Sequence, residues 1–477
     1  MIEGAQHTGD PSAGETPIPA DRSGSVSRRN FIKASLAGAA MVGSGCVPAD
    51  ESASTAAHAA PVVAAARGKR LNVIQVILHD AGQHFGCYGQ KVSTPGIDAL
   101  AAQGAIFTNH FCNSTPCSPA RGCVMTGQYA HRNGLIGLVN KGWDIPPHTQ
   151  TLVDRMNDAG YETVRCGLQH ERHPRNRNAM RYQKNFATRG SKDPERRQIS
   201  VERVTAAAKL YLKARDATRP LYLNMGVFET HAPWTRRFYK PFAPKPEDVA
   251  MPAFLPDVPV IRKGYAAFLG ALSYTDSVLG DFFRFLDDSG LEADTAMIFT
   301  ADHGDATGSH RHFEKAGTMY DEVYRVPLIV QPPAGPRGVE VRQFVRLMDL
   351  MPTIVELAGA DAPESIDGRS LTPLMTGRPP DDWPDAVYCE HHGEVWGLMT
   401  QRMVRTHRWK YVFNPHDLDE LYDLSSDPAE LTNLIDSRAH DDVLSEMKAR
   451  LMGWNDATGD VFTWNWVRWT FPDPVPP

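Results

Sequence analysis

Apolar positions along the chain follow two periods. Residues 71–78 form a nearly continuous apolar run, Leu-Asn-Val-Ile-Gln-Val-Ile-Leu, which predicts a strand covered on both faces. Runs at 161–166, 221–228 and 295–300 predict three more strands. Helical spacing appears in 95–104, where Ile97, Leu100 and Ala101 share a face, and along 266–288, which reads as a long helix with one buried stripe. Residues 349–357 read as a helix with Pro352 near its start, and Gly368-Arg369-Ser370-Leu371 closes this region. Alternating strands and helices predict an α/β domain over 70–378, a large and mostly parallel sheet sandwiched by helices. From residue 379 to 477 the pattern becomes α+β. Residues 402–413 and 420–423 read as short strands of a smaller antiparallel sheet, Asp427-Pro428 as a turn, and 443–454 as a helix packed against them.

The four strands of the first region share a second property. They finish in His79-Asp80, in Gly167-Leu168-Gln169-His170, in Glu229-Thr230-His231 and in Asp302-His303. The carboxyl ends of parallel strands lie on one edge of a sheet, where ligands bind. One site built from four distant segments is therefore expected, with His79, Asp80, Asp302 and His303 as metal-ligand candidates. Carboxylates suit calcium or magnesium, and imidazoles shift the balance towards manganese or zinc.

The formal net charge of -6, with Lys and Arg widely spread, argues against a nucleic-acid partner. Seven cysteines in 477 residues make no disulfide scaffold, and no close Cys-x-x-Cys pair suggests zinc. Cys87, Cys112, Cys123, Cys166 and Cys389 read as small apolar core residues, with room for one disulfide.

Residues 1–26 are polar and rich in Gly, Pro and Ser, a composition that predicts disorder. Ser27-Arg28-Arg29-Asn30-Phe31-Ile32-Lys33 and the small apolar run after it, through Val47, have the form of a twin-arginine export signal. Its apolar part is too short to span a membrane as a stable helix. This region, 1–47, predicts a periplasmic or exported protein handled by the twin-arginine machinery. Two endings stay open: a lipid anchor at Cys46, or cleavage after Ala57-His58-Ala59. Residues 48–69 read as an Ala-rich linker.

The stretch Cys117-Ser118-Pro119-Ala120-Arg121-Gly122 carries the most specific chemistry. Pro119 suits the start of a helix, which sets Cys117 near the N-cap, where backbone N–H groups and the helix dipole favour an anion. Arg121, four residues on, shares a face with Cys117, and its guanidinium fork fits a tetrahedral oxyanion. Cys-x-Pro-x-Arg followed by Thr126-Gly127 resembles the maturation and active-site motif of type I sulfatases, of the alkaline phosphatase superfamily. Ala120 stands where that family commonly has serine. Further matches follow in order: Gly160-Tyr161-Glu162-Thr163 through Gly167 and His170, Asp302-His303-Gly304, Lys315, and Arg325-Val326-Pro327-Leu328. Two departures stand out. His79 occupies a position that is usually Asp, and Leu168 replaces a lysine that contacts sulfate in the family. Arg172, His173 and Arg175 are the nearby candidates to substitute for it.

The resemblance implies an alkaline phosphatase-like sulfatase fold and hydrolysis of sulfate monoesters, on sulfated small molecules or carbohydrates. It implies that Cys117 is converted by a maturation enzyme to formylglycine, before export, because the twin-arginine route carries folded proteins. It implies one divalent metal, calcium first and manganese second, held by His79, Asp80, Asp302, His303 and residue 117. Hydrated residue 117 then attacks sulfur, Arg121 and Lys315 hold the sulfuryl oxygens, His231 with Lys315 protonates the leaving alcohol, and His170 takes a proton to expel sulfate. Phosphonate monoester or phosphodiester hydrolysis in the same superfamily is the first alternative, which Leu168 favours slightly. His131-Arg132-Asn133-Gly134-Leu135 and His391-His392 point weakly to sulfamidase-like action on heparan fragments. A non-catalytic envelope binding protein is the remaining alternative, against which Cys117, Arg121, Asp302 and Lys315 all count. For His391-His392 a surface position is expected over contact with substrate, and for Trp464, Trp466 and Trp469 packing on the core is expected over stacking on sugar rings. The oligomeric state is not legible.

Overall fold

The computed structural model describes residues 70–173, 175–176, 180–186, 200–315, 317–335, 337–393, 399–415 and 417–460. The expected export signal, Cys46, the linker and the aromatic tail lie outside the described residues.

The expected strands form because every residue of Asn72–Leu78, Leu221–Val227 and Thr295–Ala301 is buried, so a continuous apolar run is what each position requires. The polar residues within them find partners inside the sheet. Gln75 Oε1 accepts from the Tyr222 hydroxyl at 2.8 Å, and Asn72 Oδ1 accepts from the Leu221 N–H at 3.0 Å. An eight-stranded sheet results, in the spatial order Val339–Val341, Ala105–Phe107, Leu328–Gln331, Thr295–Ala301, Asn72–Leu78, Leu221–Val227, Glu162–Gly167 and Lys184–Phe186. Leu328–Gln331 runs antiparallel to both neighbours, and the other pairings are parallel. Register brings the strand ends level, with Leu78 opposite both Ala301 and Val227 and Gly167 opposite Gly226. The four segments read as carrying chemistry therefore leave the sheet on one edge.

The long helix spans Pro259–Asp288, starting earlier than its apolar stripe because Pro259 to Lys263 are exposed or half-buried and show no period. Pro259 opens it without cost, since a first-turn N–H has no intrahelical partner. Its Asp276 caps a different helix, Pro95–Ala102, by accepting from Gly96 N–H at 3.0 Å and Ile97 N–H at 2.7 Å. Burial raises this carboxyl to about 6. Asp276→Ala strips two helix N-terminal donors of their partner and is expected to cost about 1–2 kcal/mol in urea unfolding. Asp276→Asn, which keeps one oxygen acceptor, is expected to cost less.

The second sheet holds Glu420–Asp423, Trp409–Phe413, Gln401–Thr406 and Ala386–His391 in antiparallel order. The run 402–413 is thus two strands, broken at His407-Arg408, where the Thr406 hydroxyl oxygen accepts from Trp409 N–H at 2.9 Å. A fifth strand departs from the expected antiparallel sheet: Ser114–Thr115 pairs parallel with Ala386–His391, with Thr115 opposite His391. Chain order hides this, because two residues carry no period. The helix Asp441–Thr458 packs on this sheet through Met447, Leu451 and Trp454. All six cysteines among the described residues are free, so the disulfide for which the sequence left room does not form among them.

Candidate active site

Cys117 opens the helix Cys117–Thr126 directly after the edge strand of the second sheet, so both sheets fix the position of its side chain. The thiol is 3% exposed, and its Sγ lies 3.2 Å from His303 Nε2. His303 Nδ1 donates to the Gly304 carbonyl at 2.7 Å, which leaves Nε2 as the lone-pair nitrogen facing the site. Burial pushes the Cys117 thiol well above its ordinary range, a shift that Asp80 and Asp302 reinforce and Lys315 and Arg121 oppose. A thiol held protonated is a poor nucleophile as it stands.

The edge of the main sheet supplies the acids. Asp80 follows the first strand with φ 53°, a left-handed conformation that aspartate tolerates better than most residues. Asp302 Oδ1 accepts from the Asp80 N–H at 3.1 Å and the His303 N–H at 2.9 Å, and Oδ2 accepts from Arg121 Nε at 2.9 Å. His79 Nδ1 faces Asp80 Oδ1 at 2.8 Å and Asp302 Oδ2 at 3.2 Å. His303 Nε2 lies 3.4 Å from Asp80 Oδ1. Burial alone would raise both carboxyls. For Asp80, Lys315 with His303 and His79 outweighs it, and for Asp302, His79, His303 and Arg121 do, so both stay well below the usual carboxylate range.

His79, Cys117, Asp302 and His303 each present a ligand atom within 4.8 Å of one another. Asp80 borders this group, with Oδ2 taken by Lys315 Nζ at 2.9 Å. Two imidazoles, one thiol and the Asp302 carboxylate converge on one small volume with the Asp80 carboxylate at its border, a donor set that fits a divalent cation. A second cluster, His131, Glu390 and Asp460, has its cation already: Arg402 donates from Nε to Asp460 Oδ2 at 2.5 Å and from Nη2 to Oδ1 at 3.0 Å.

The remaining candidates surround this centre. Lys315 Nζ donates to His231 Nε2 at 3.2 Å, while His231 Nδ1 donates to the Ala232 carbonyl at 2.6 Å. His231 stands at the mouth of the site, its side chain 25% exposed. The His170 ring centre lies 6.0 Å from that of His79. Burial, helped by His79 and Arg121, lowers His170 to about 3, and its buried Nδ1 has no hydrogen-bond partner among the described residues. All residues singled out in the sequence for catalysis or metal binding thus meet in one site.

Three expectations change. Arg172 does not stand in for the lysine absent at Leu168, because its guanidinium is held by the Ile145 carbonyl and by Asp144 at 3.5 Å. His173 Nδ1 accepts from the Arg175 N–H at 3.1 Å on the outer part of that loop. His391 and His392 are buried, 1% and 2% exposed, not on the surface: His391 Nδ1 pairs with the Thr115 hydroxyl at 2.8 Å and His392 Nε2 with Glu390 at 3.0 Å.

Two contributors carried no usable signal in the sequence. Thr230 adopts φ 87°, rare for a β-branched residue, and its hydroxyl donates to the His79 carbonyl, tying two strand ends together. Glu171 accepts the His170 N–H at 2.8 Å through Oε2 and brings Oε1 to 3.6 Å from Arg121 Nη1.

A family model described as Sulfatase matches residues 71–360, and one described as N-sulphoglucosamine sulphohydrolase, C-terminal, matches residues 308–457. The ulvan-active sulfatase of Formosa agariphila is 25% identical over 83% of this chain and 82% of its own length. Among solved structures, the phosphonate monoester hydrolase of Agrobacterium radiobacter superposes with a TM-score of 0.72 at 22% identity, covering 82% of this chain and 96% of that one. A protein in complex with its substrate D-glucosamine-2-N,6-O-disulfate superposes with a TM-score of 0.68 at 20% identity, covering 82% of this chain and 99% of that one. The two-sheet architecture is the alkaline phosphatase-like sulfatase fold.

Proposed function

The chain belongs to the sulfatase family and is a sulfuric ester hydrolase, and we propose that it acts on sulfated carbohydrates through an aldehyde made from Cys117 and one divalent metal. One observation carries the reading: Cys117 Sγ stands 3.2 Å from His303 Nε2, inside the cluster of imidazoles and carboxylates at the sheet edge. Burial keeps the unconverted thiol protonated, which favours conversion to another nucleophile over direct attack by sulfur.

His79, Asp302, His303 and residue 117 would hold the metal, with Asp80 beside them. Bound there, it would act as a Lewis acid on a sulfuryl oxygen and favour the deprotonated form of the residue 117 hydrate. Of the two ions expected from the sequence, two imidazole donors favour manganese over calcium. The other roles belong to side chains. Arg121 and Lys315 stabilise charge on the sulfuryl oxygens, the term that usually dominates such reactions. Lys315 Nζ, which donates to His231 Nε2, supplies the proton that His231 Nε2 passes to the leaving alcohol. His170, kept neutral, accepts the proton whose removal lets residue 117 expel sulfate. A maturation enzyme acting before twin-arginine export supplies the aldehyde, with or without a lipid anchor at Cys46.

A second reading, phosphonate monoester or phosphodiester hydrolysis, draws on Leu168 in place of a lysine and on the fold shared with the phosphonate monoester hydrolase. Mass spectrometry of the Cys117 peptide, followed by turnover of sulfated sugars and of aryl sulfate against aryl phosphonate, tests both. The expected results are a thiol replaced by an aldehyde and a preference for sulfate. An unmodified thiol in active protein overturns the aldehyde, and a preference for phosphonate selects the second reading. Dialysis against a chelator is expected to lower aryl sulfate turnover by about 10²-fold or more, with manganese restoring more of it than calcium.

A further inference from the structure

We propose that Glu171 sets the net charge of the anion pocket, matching it to a singly charged transferable group and against a doubly charged one. The proposal rests on the sulfate-ester reading above and adds to it a selectivity that no family motif assigns.

Glu171 is 2% exposed and sits directly after His170. Arg121 is fully buried, with Nε committed to Asp302 at 2.9 Å and Nη2 to the Leu78 carbonyl at 3.5 Å. Its buried Nη1 has no hydrogen-bond partner among the described residues, which leaves it as the guanidinium nitrogen uncommitted for a substrate oxygen. Glu171 Oε1 stands 3.6 Å from that nitrogen. Any anion that Arg121 receives through Nη1 therefore meets the field of a second, buried carboxylate.

The side chains paired around Arg121 and Lys315 set the local charge. Arg121 and Lys315 bring two positive charges, and Asp80, Asp302 and Glu171 bring three negative ones. With residue 117 still protonated, a bound divalent ion would leave a single net positive charge, which a sulfate monoester, a phosphonate monoester or a phosphodiester would neutralise. A phosphate monoester dianion overshoots it. The position of Leu168 reinforces the point, because the lysine that the family resemblance expects there would add one charge, and Arg172 is turned away to Asp144 and Ile145. Against that pattern the pocket lacks the cation at position 168 and the acid at position 79, and Glu171 places a carboxylate beside Arg121.

Glu171→Gln keeps the volume and the oxygen that accepts the His170 N–H, and removes the charge. In the metal-loaded enzyme the ratio of kcat/KM for p-nitrophenyl phosphate to that for p-nitrophenyl sulfate is expected to rise about 10²-fold, the scale of one unit charge at about 6 Å and an effective dielectric near 20. Leu168→Lys is expected to move the ratio in the same direction from a different position. Equilibrium competition by ethyl sulfate and by inorganic sulfate, a monoanion and a dianion, reads the same preference without turnover, and the dianion is expected to gain in both variants. Unchanged ratios and unchanged competition in both folded variants overturn the proposal. So does a loss of kcat that is equal for both esters, the signature of Glu171 acting only as a brace for His170. A wild-type enzyme that turns over no sulfate ester but shows the competition pattern overturns the sulfate-ester reading and leaves the charge assignment standing.

Discussion

In the Cys117→Ala variant, hydrolysis of an aryl sulfate falls by about 10⁵-fold or more, the scale seen when a covalent nucleophile is deleted, while the protein stays folded. Alanine fits because residue 117 opens a helix, where its backbone keeps the same φ and ψ, and because among the described residues the thiol's polar contact is His303 Nε2. The fold loses one small buried group, and the chemistry loses its attacking atom. Cys117→Ser separates two meanings of that loss. A serine hydroxyl at the same place can accept the sulfuryl group once, but it has no second hydroxyl through which to expel it. Stoichiometric sulfation of residue 117 and no second turnover are therefore expected, read by intact mass after incubation with substrate. Steady turnover by the alanine variant would remove residue 117 from the chemistry altogether.

Much of the fold and of this site is legible in the sequence because burial on both faces imposes a visible rule. All four central strands are buried at every position, so their runs are mostly apolar, and the residues that follow turn polar where the sheet ends. His79, Asp80, His170, His231, Asp302 and His303 were found by that break in the pattern. Cys117, Arg121 and Lys315 were found by motif.

What stayed hidden was hidden for physical reasons. Ser114–Thr115 is too short to show a period, yet it joins the second sheet to the start of the helix that carries Cys117. Glu171 looks in the sequence like any surface acid beside a histidine, and its meaning comes from Arg121, fifty positions earlier. The left-handed backbone of Thr230 leaves no trace in a residue type that seldom adopts it. His391 looks like one half of an exposed pair, and becomes a buried contact of Thr115 only once the parallel edge strand is in place.

Asp302→Ala is expected to remove activity, metal and a large share of stability together, because three separate demands converge on one carboxylate. Oδ1 receives two backbone N–H groups, from Asp80 and His303, and so holds two strand ends in register with each other. Oδ2 receives Arg121 Nε at 2.9 Å and faces His79 Nδ1 at 3.2 Å. Without it Arg121 remains in the interior with Glu171, at 3.6 Å, as the carboxylate left near its guanidinium among the described residues. Stranding a buried charge in this way costs about 3–5 kcal/mol. Asp302→Asn retains a carbonyl oxygen for the N–H groups and is expected to recover part of the stability but not the metal affinity. The sign of the pH effect follows from the carboxyl itself. Burial would raise it, but His79, His303 and Arg121 hold it well below the usual range, so its contribution is complete above the unfolded value near ~4 and is lost as the pH falls below that. The stability gap between wild type and Asp302→Asn should therefore be constant near neutrality and close in acid. Urea unfolding of both proteins across that range, with metal content measured in parallel, decides the matter: a gap that persists in acid, or an alanine variant with full metal content, would show that Arg121 and the cation are held by other groups.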